Sequence, residues 1–309
     1  MITKPILEWL LDGDVAIQYQ VYRDLLDKPK PGLRNRIRTE GWGLRFLQCR
    51  QSNGHWGRGF YQPKWTSTHY TLLDLKQLNI RPNPAIREAL QLIIKNERGR
   101  DGGVNPSDPG TPSDVCINGM FLNYACHFEV KEQQLYSVID FLLTQKMGDG
   151  GFNCHSNRKG AVHSSLHTTL SVLEGIHEYQ QLGYGYRLAE LERIKKTSIE
   201  FMLMHHLFRS DHTGVIINSN FLKLYYPGRW YYDILKALDY LQAAGVPYDP
   251  RMDDALNYLY VKKTDHGLWK LASKHPGQTH FEMEQAGKPS RWNTLRALRV
   301  FRKYPINPE

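Results

Sequence analysis

The chain repeats one short phrase. A helical stretch ends in a glycine turn carrying an aromatic or β-branched residue. A loop follows, then an apolar helix that opens on polar residues. The turns read QSNGHWG (51–57), RGRDGGVN (98–105), QKMGDGGFN (145–153), DHTGVIIN (211–218) and TDHGLWK (264–270). The helices after them read STHYTLLDLKQL (67–78), SDVCINGMFLNYACHF (113–128), SSLHTTLSVLEGIHEY (164–179), WYYDILKALDYL (230–241) and SRWNTLRALRVF (290–301). The turn glycines recur about every 50 to 65 residues, a period that marks an array of supersecondary units, none able to bury its apolar face alone.

Apolar residues recur at helical spacing throughout, and no strand-period segment survives. The pattern predicts outer helices near 5–11, 33–50, 84–95, 132–145, 187–207 and 251–262. Inner helices fall near 14–27, 66–79, 114–128, 164–181, 229–243 and 288–304. Asp14, Ser113, Ser164 and Ser290 stand where helix N-caps belong, and Pro84, Pro250 and Pro289 near other helix starts. About six outer–inner pairs can close into an α/α toroid, predicted as one domain over residues 1–309. Its inner-helix N-termini would meet at one mouth of a central cavity and favour an anion there.

Composition narrows the function. The chain of 309 residues is 41% hydrophobic and 23% charged, the balance of a globular protein. No segment approaches the ~20 apolar residues of a membrane span. The N-terminal MITKPILEWLLDGD shows no signal-peptide pattern, so the sequence predicts a cytoplasmic protein. Cys49, Cys116, Cys126 and Cys154 are too few and scattered for a disulfide scaffold. The net charge of +9 suits an anionic partner. Its densest group, Arg34, Arg36, Arg38, Arg45 and Arg50, reads as one solvated helix face without any nucleic-acid motif. The expected partner is therefore a small apolar or anionic ligand, not nucleic acid. No phosphate loop, nucleophile elbow or dinucleotide fingerprint is present.

The turns QSNGHWG, QKMGDGGFN and TDHGLWK resemble the Q-x-x-x-G-x-[WF] turns of the prenyltransferase and squalene-cyclase repeat superfamily, which also houses the terpenoid cyclases. STHYTLLDL and SSLHTTLSVL are similar to its inner helices. The resemblance covers residues 41 to 304 and implies the α/α toroid. The class II cyclases of that superfamily carry a D-x-D-D motif that this chain lacks, which argues against cyclase chemistry of that kind. The single toroid resembles more closely the protein prenyltransferase β-subunit, whose zinc is held by an Asp-x-Cys and a later His. Here Asp114, Cys116 and His167 match, with His163 as a possible extra ligand and Cys154 and His155 in the loop before it. Carboxylate, thiolate and imidazole suit zinc with an open fourth position. A helical partner subunit is implied by the same comparison.

An ungapped register of the inner helices sets Cys116 beside His167 and aligns His69, Tyr232 and Trp292 with them. With Trp65, Tyr70, Phe152, Trp230 and Tyr231 these give a predicted aromatic wall for an isoprenoid or other apolar chain. Asp233, Tyr232 and Arg291 are the catalytic candidates beside it. Three functions follow: a prenyltransferase-like transferase, a non-catalytic binding scaffold, and a carbohydrate-active toroid using Asp114 and Asp233 as a carboxylate pair.

Overall fold

A computed structural model describes residues 2–107 and 110–306. The described residues are helical apart from turns, loops and isolated bridges, so the protein is all-α. In chain order the helices are α1 (Lys4–Leu11), α2 (Val15–Asp24), α3 (Pro31–Arg36), α4 (Gly41–Gln48), α5 (Thr68–Gln77), α6 (Pro84–Asn96) and α7 (Val115–His127). Then come α8 (Tyr136–Thr144), α9 (Ser156–Lys159), α10 (Leu166–Gln181), α11 (Leu188–Met204), α12 (Ile234–Ala243), α13 (Asp253–Val261) and α14 (Arg291–Lys303). No helix among the described residues is long and apolar enough to cross a membrane.

The chain divides into two compact units. A terminal unit comprises Met1–Gln48, Gln77–Arg81 and His205–Glu309, and a middle unit comprises Cys49–Lys76 and Pro82–Met204. Each contains the two kinds of helix that the repeat foretold. In the middle unit α6 buries only Ile86, Ala89, Leu90 and Ile93, a single stripe at helical spacing. By contrast, α7 buries Val115 and every residue from Ile117 to Cys126. A helix apolar all round must be enclosed by its neighbours. One of those neighbours is α10, and glycine sets the closeness of approach. A Cβ on Gly119 would lie 2.7 Å from the Ser171 carbonyl, and one on Gly175 would lie 2.5 Å from the Gly119 carbonyl oxygen.

In the terminal unit α14 packs against both α12 and α2, so the last helix meets one of the first. Arg299 joins them: its guanidinium lies 2.8 Å from Asp24 Oδ2 and 2.7 Å from Asp239 Oδ2.

The repeated turns are one structure. Gly54, Gly102, Gly150 and Gly267 all take the left-handed backbone, with φ of +85°, +88°, +100° and +75°, a conformation that glycine adopts without steric cost. The residue two positions later then donates its backbone N–H to the next buried helix. Trp56 donates to Thr68 Oγ1 at 3.0 Å, Val104 to Asn118 Oδ1 at 2.6 Å, Phe152 to Thr169 Oγ1 at 3.0 Å and Trp269 to Thr294 Oγ1 at 3.1 Å. The turn at 209–217 departs from this. Asn118, Thr169 and Thr294 each stand four residues beyond their N-cap residues Asp114, Ser165 and Ser290; in α12, capped by Asp233, that position is Ala237. Alanine offers no acceptor, and Val215, Ile216 and Ile217 stand 62%, 43% and 47% exposed.

Several expected boundaries move. The helix expected at 33–50 is two, α3 and α4, because Asp14 Oδ2 takes the Trp42 N–H at 2.7 Å and holds Gly41 at φ +60°. The arginine group is accordingly dispersed, with Arg34 and Arg36 in α3, Arg45 in α4, and Arg38 and Arg50 outside both. Asp14 and Ser290 cap as expected. Ser113 and Ser164 do not: Asp101 and Asp149 in the preceding turns hold them instead, and Asp114 and Ser165 are the N-cap residues. The expected start of α12 at 229 moves to Ile234, where Asp233 Oδ1 accepts the Lys236 N–H at 2.8 Å.

Candidate metal and ligand site

Asp114 is the N-cap residue of α7, yet its side chain makes no capping hydrogen bond. Its carboxylate turns instead to Arg158, whose Nη1 lies 3.1 Å from Oδ2. Two residues on, Cys116 lies in the first turn of the helix. The short helix α9 and the loop leading into it return to this helix head. Asn157 donates to the Ser113 carbonyl at 3.1 Å, and Arg158 Nε to that of Pro112 at 3.0 Å. Cys154 comes with that segment. Its Sγ receives the Cys116 N–H at 3.1 Å and the Thr168 hydroxyl at 3.4 Å. One ligand atom each from Asp114, Cys116 and Cys154 lies within 4.8 Å of the other two.

Two of the three expected metal ligands are thus together, and the third member of the group is Cys154. His167 is half-buried in the first turn of α10 and lies outside the group. His163 is exposed and also lies outside it. Cys154 flanks Cys116 because its loop is hydrogen-bonded to the head of α7, a placement that comparing helix with helix does not reach.

Charge is ordered within the group. The hydrogen bond from Cys116 to Cys154 pulls the Cys154 thiol below its ordinary range; that same bond and burial push Cys116 well above it. Cys154 is therefore the more acidic thiol of the pair. Burial raises the Asp114 carboxyl against the opposing pull of Arg158. Burial lowers the Lys64 ammonium, which feels the attraction of Cys116 and Asp114. A hollow of about 390 Å³ lined by Ser107, Thr111, Pro112, Asn157 and Arg158 opens beside the group. Arg158 thus lines the hollow and also meets a carboxylate. Lys64, Arg158 and Cys154 are the residues that inspection of the repeats undervalued, since all three lie in the connections between the long helices.

An aromatic cluster belongs to the same unit. Tyr61 and Tyr70 share a hydroxyl contact of 3.1 Å, and Trp65 packs edge-on against Tyr70 at 4.9 Å. His69 is fully buried, with Nδ1 3.1 Å from the Tyr124 hydroxyl and its ring edge-on to Phe60 and Tyr70. Burial drives its pKa down to about 3, so the imidazole stays neutral. The pairing of Thr68 with Trp56 puts His69 one residue past the docking position, not two before it as for Cys116, His167 and Trp292. The ungapped register therefore slips by three residues at His69, and also at Tyr232, which precedes its helix cap. Phe152 is a turn residue packed into the core.

The terminal unit holds the remaining candidates. Trp230 stacks on Tyr231 at 3.9 Å, Tyr231 on His275 at 3.4 Å, and Tyr226 on Trp292 at 4.5 Å. Tyr232 donates to the Leu207 carbonyl at 2.5 Å. Arg291 lies over Trp9 and donates to its carbonyl at 2.9 Å. Asp233 is buried as the cap of α12. The contacts of the three catalytic candidates are those of helix heads and latches.

The chain is thus an all-α protein of repeated helix pairs with a carboxylate–dithiol group at one helix head. No family profile matches it, and no curated protein matches it. Among solved structures it is similar to a variant of the type II terpene cyclase MstE from Scytonema, in complex with its product merosterolic acid A. The identity is 13% over 98% of this chain and 99% of that one, with a TM-score of 0.35.

Proposed function

We propose that the middle unit binds an apolar ligand with an anionic head and acts on it as a zinc-assisted, prenyltransferase-like transferase. The observation that carries this reading is the convergence of Asp114, Cys116 and Cys154 within 4.8 Å. Two thiols and a carboxylate are a donor set that zinc accepts. Ligand atoms on one tetrahedral zinc stand roughly 3.3 to 3.8 Å apart, given bonds of about 2.0 to 2.3 Å, so small side-chain rotations close the group. Three protein donors leave a position open, the arrangement of a reactive rather than a structural site. Bound zinc would supply an activated sulfur or water nucleophile at neutral pH.

The chain's own residues do the rest. The backbone N–H of Cys116 and the hydroxyl of Thr168 orient the Cys154 sulfur. Arg158 offsets the charge of Asp114, and zinc offsets the two thiolates, so Lys64 leaves the loaded group net positive. That charge and the hollow beside Arg158 favour an anionic head. Tyr61 carries the same electrostatic field: its hydroxyl is raised by burial first and then by the nearby Cys116, Asp114 and Cys154. In this reading Tyr61, itself half-buried, meets the apolar chain and is backed by the buried rings of Tyr70 and Trp65.

The test is metal analysis of the purified chain with binding of a long-chain alkyl phosphate. Bound zinc with alkyl phosphate binding supports the reading. Metal-free protein from zinc-replete cells would refute the zinc-assisted step and leave a ligand-binding scaffold.

A further inference from the structure

We propose that Cys116 and Cys154 form a site of reversible oxidation, closing to a disulfide that removes two of the three donors from the group described above. The disulfide stands on geometry alone; its consequence for metal rests on the zinc reading.

The two sulfurs lie within 4.8 Å of each other, and both residues are free and half-buried. A disulfide needs the sulfurs at about 2.05 Å, so the two side chains must close a gap of at most a few ångströms. The two sides of that gap differ in stiffness. Cys116 belongs to α7, which is enclosed along its length. Cys154 lies outside any helix, and its backbone is tied to α10 by one long hydrogen bond, 3.3 Å from Cys154 N to Thr168 Oγ1. The loop side can therefore move to the helix side. Cys154 also already leans on Cys116, accepting its N–H at 3.1 Å. Cys126, by contrast, is fully buried on α7, and Cys49 lies outside the group.

The co-reactant is a low-molecular-weight disulfide. Cys154 sulfur attacks one sulfur of the oxidant, breaking its S–S bond and expelling one small thiol. Cys116 sulfur then attacks Cys154 sulfur, breaking the mixed disulfide and expelling the second. Two protein thiols are oxidised, one small disulfide is reduced to two thiols, and the two protons pass to the departing sulfurs. Zinc bound to the same sulfurs would block both attacks, and the closed disulfide would exclude zinc. The site would thus hold metal under reducing conditions and lose it under oxidising ones.

The experiment uses the full wild-type chain, stripped with a chelator and incubated with oxidised glutathione. Remaining thiols are alkylated and the peptides mapped without reduction. We expect a Cys116–Cys154 cross-linked peptide that dithiothreitol reverses, with Cys49 and Cys126 recovered in alkylated form. Preloading with zinc should slow the cross-link about tenfold or more, because coordinated thiolates attack poorly. Glutathione adducts on Cys116 or Cys154 without a cross-link would overturn the proposal, even if zinc binds. A cross-link that forms equally fast with and without zinc would uphold the disulfide and remove the metal coupling.

Discussion

Arg158 Nη1 lies 3.1 Å from Asp114 Oδ2, so the one carboxylate of the candidate metal group is shared with a cation before any ligand arrives. Arg158 also lines the adjoining hollow. The same side chain therefore opposes the metal and attracts the anion, and the two roles separate on substitution. Arg158→Gln should raise zinc affinity, read by competition with a zinc-binding dye. It should weaken a long-chain alkyl phosphate about tenfold or more in calorimetry, the loss expected of one charge-assisted contact worth roughly 1.5–3 kcal/mol. Parallel changes in both affinities would show that Arg158 does not stand between the two ligands.

The choice of third metal ligand is open to a direct comparison. Cys154→Ala should strip zinc from a chain that otherwise carries about one ion, since two donors do not complete the site. His167→Ala should keep it. Elemental analysis of both variants decides, and the reverse result would restore His167 to the site.

Turn docking should dominate local stability. Phe152 is fully buried with its N–H on Thr169, whereas Ile216 is 43% exposed in the one turn that meets alanine. Phe152→Ala should cost about 3–5 kcal/mol, and Ile216→Ala less than about 1 kcal/mol. Thr169→Val, which strands the Phe152 N–H, should cost about 1–3 kcal/mol. Urea unfolding of the three variants gives the ranking.

His69 sets a pH response. Its pKa falls from an unfolded value near 6.5 to about 3 in the fold, so the neutral form is the folded one. Above pH 6.5 it has no effect. As pH drops below 6.5 the unfolded chain takes up a proton that the folded chain refuses. Stability should then fall by about 1.4 kcal/mol per pH unit until the folded pKa is reached. His69→Phe should flatten that slope between pH 6 and about 4. An unchanged slope would show that His69 is protonated in the fold or does not control acid unfolding.

What could be read from the sequence follows from the range of the forces involved. Turn glycines and enclosed helices depend on backbone sterics and local hydrophobic spacing, so the helix pairs were legible, as were the caps at Asp14 and Ser290. The break at Gly41 was not, because its cause is Asp14, far away along the chain. At the candidate site, Asp114 and Cys116 were singled out by their resemblance to an Asp-x-Cys at a helix head, and they do lie side by side. Cys154 belongs to a loop that leads into α9, whose Asn157 and Arg158 hydrogen-bond to Ser113 and Pro112, and no periodicity encodes that path. His69 slipped because which residue docks a turn depends on loop length: Thr68, not Thr71, meets Trp56.

Arg299 bridges Asp24 and Asp239, and so ties the early helix α2 to the late helices α12 and α14. The middle unit is complete by residue 204, but the terminal unit cannot close until α14 has been made. During synthesis, Asp24 must wait without this partner until every helix from α3 to α13 has emerged. The middle unit can fold meanwhile, as units completed early generally do. Truncation from the C-terminus should thus be harshest on the N-terminal helices, and a nascent chain halted after residue 204 should already protect the thiols of Cys116 and Cys154.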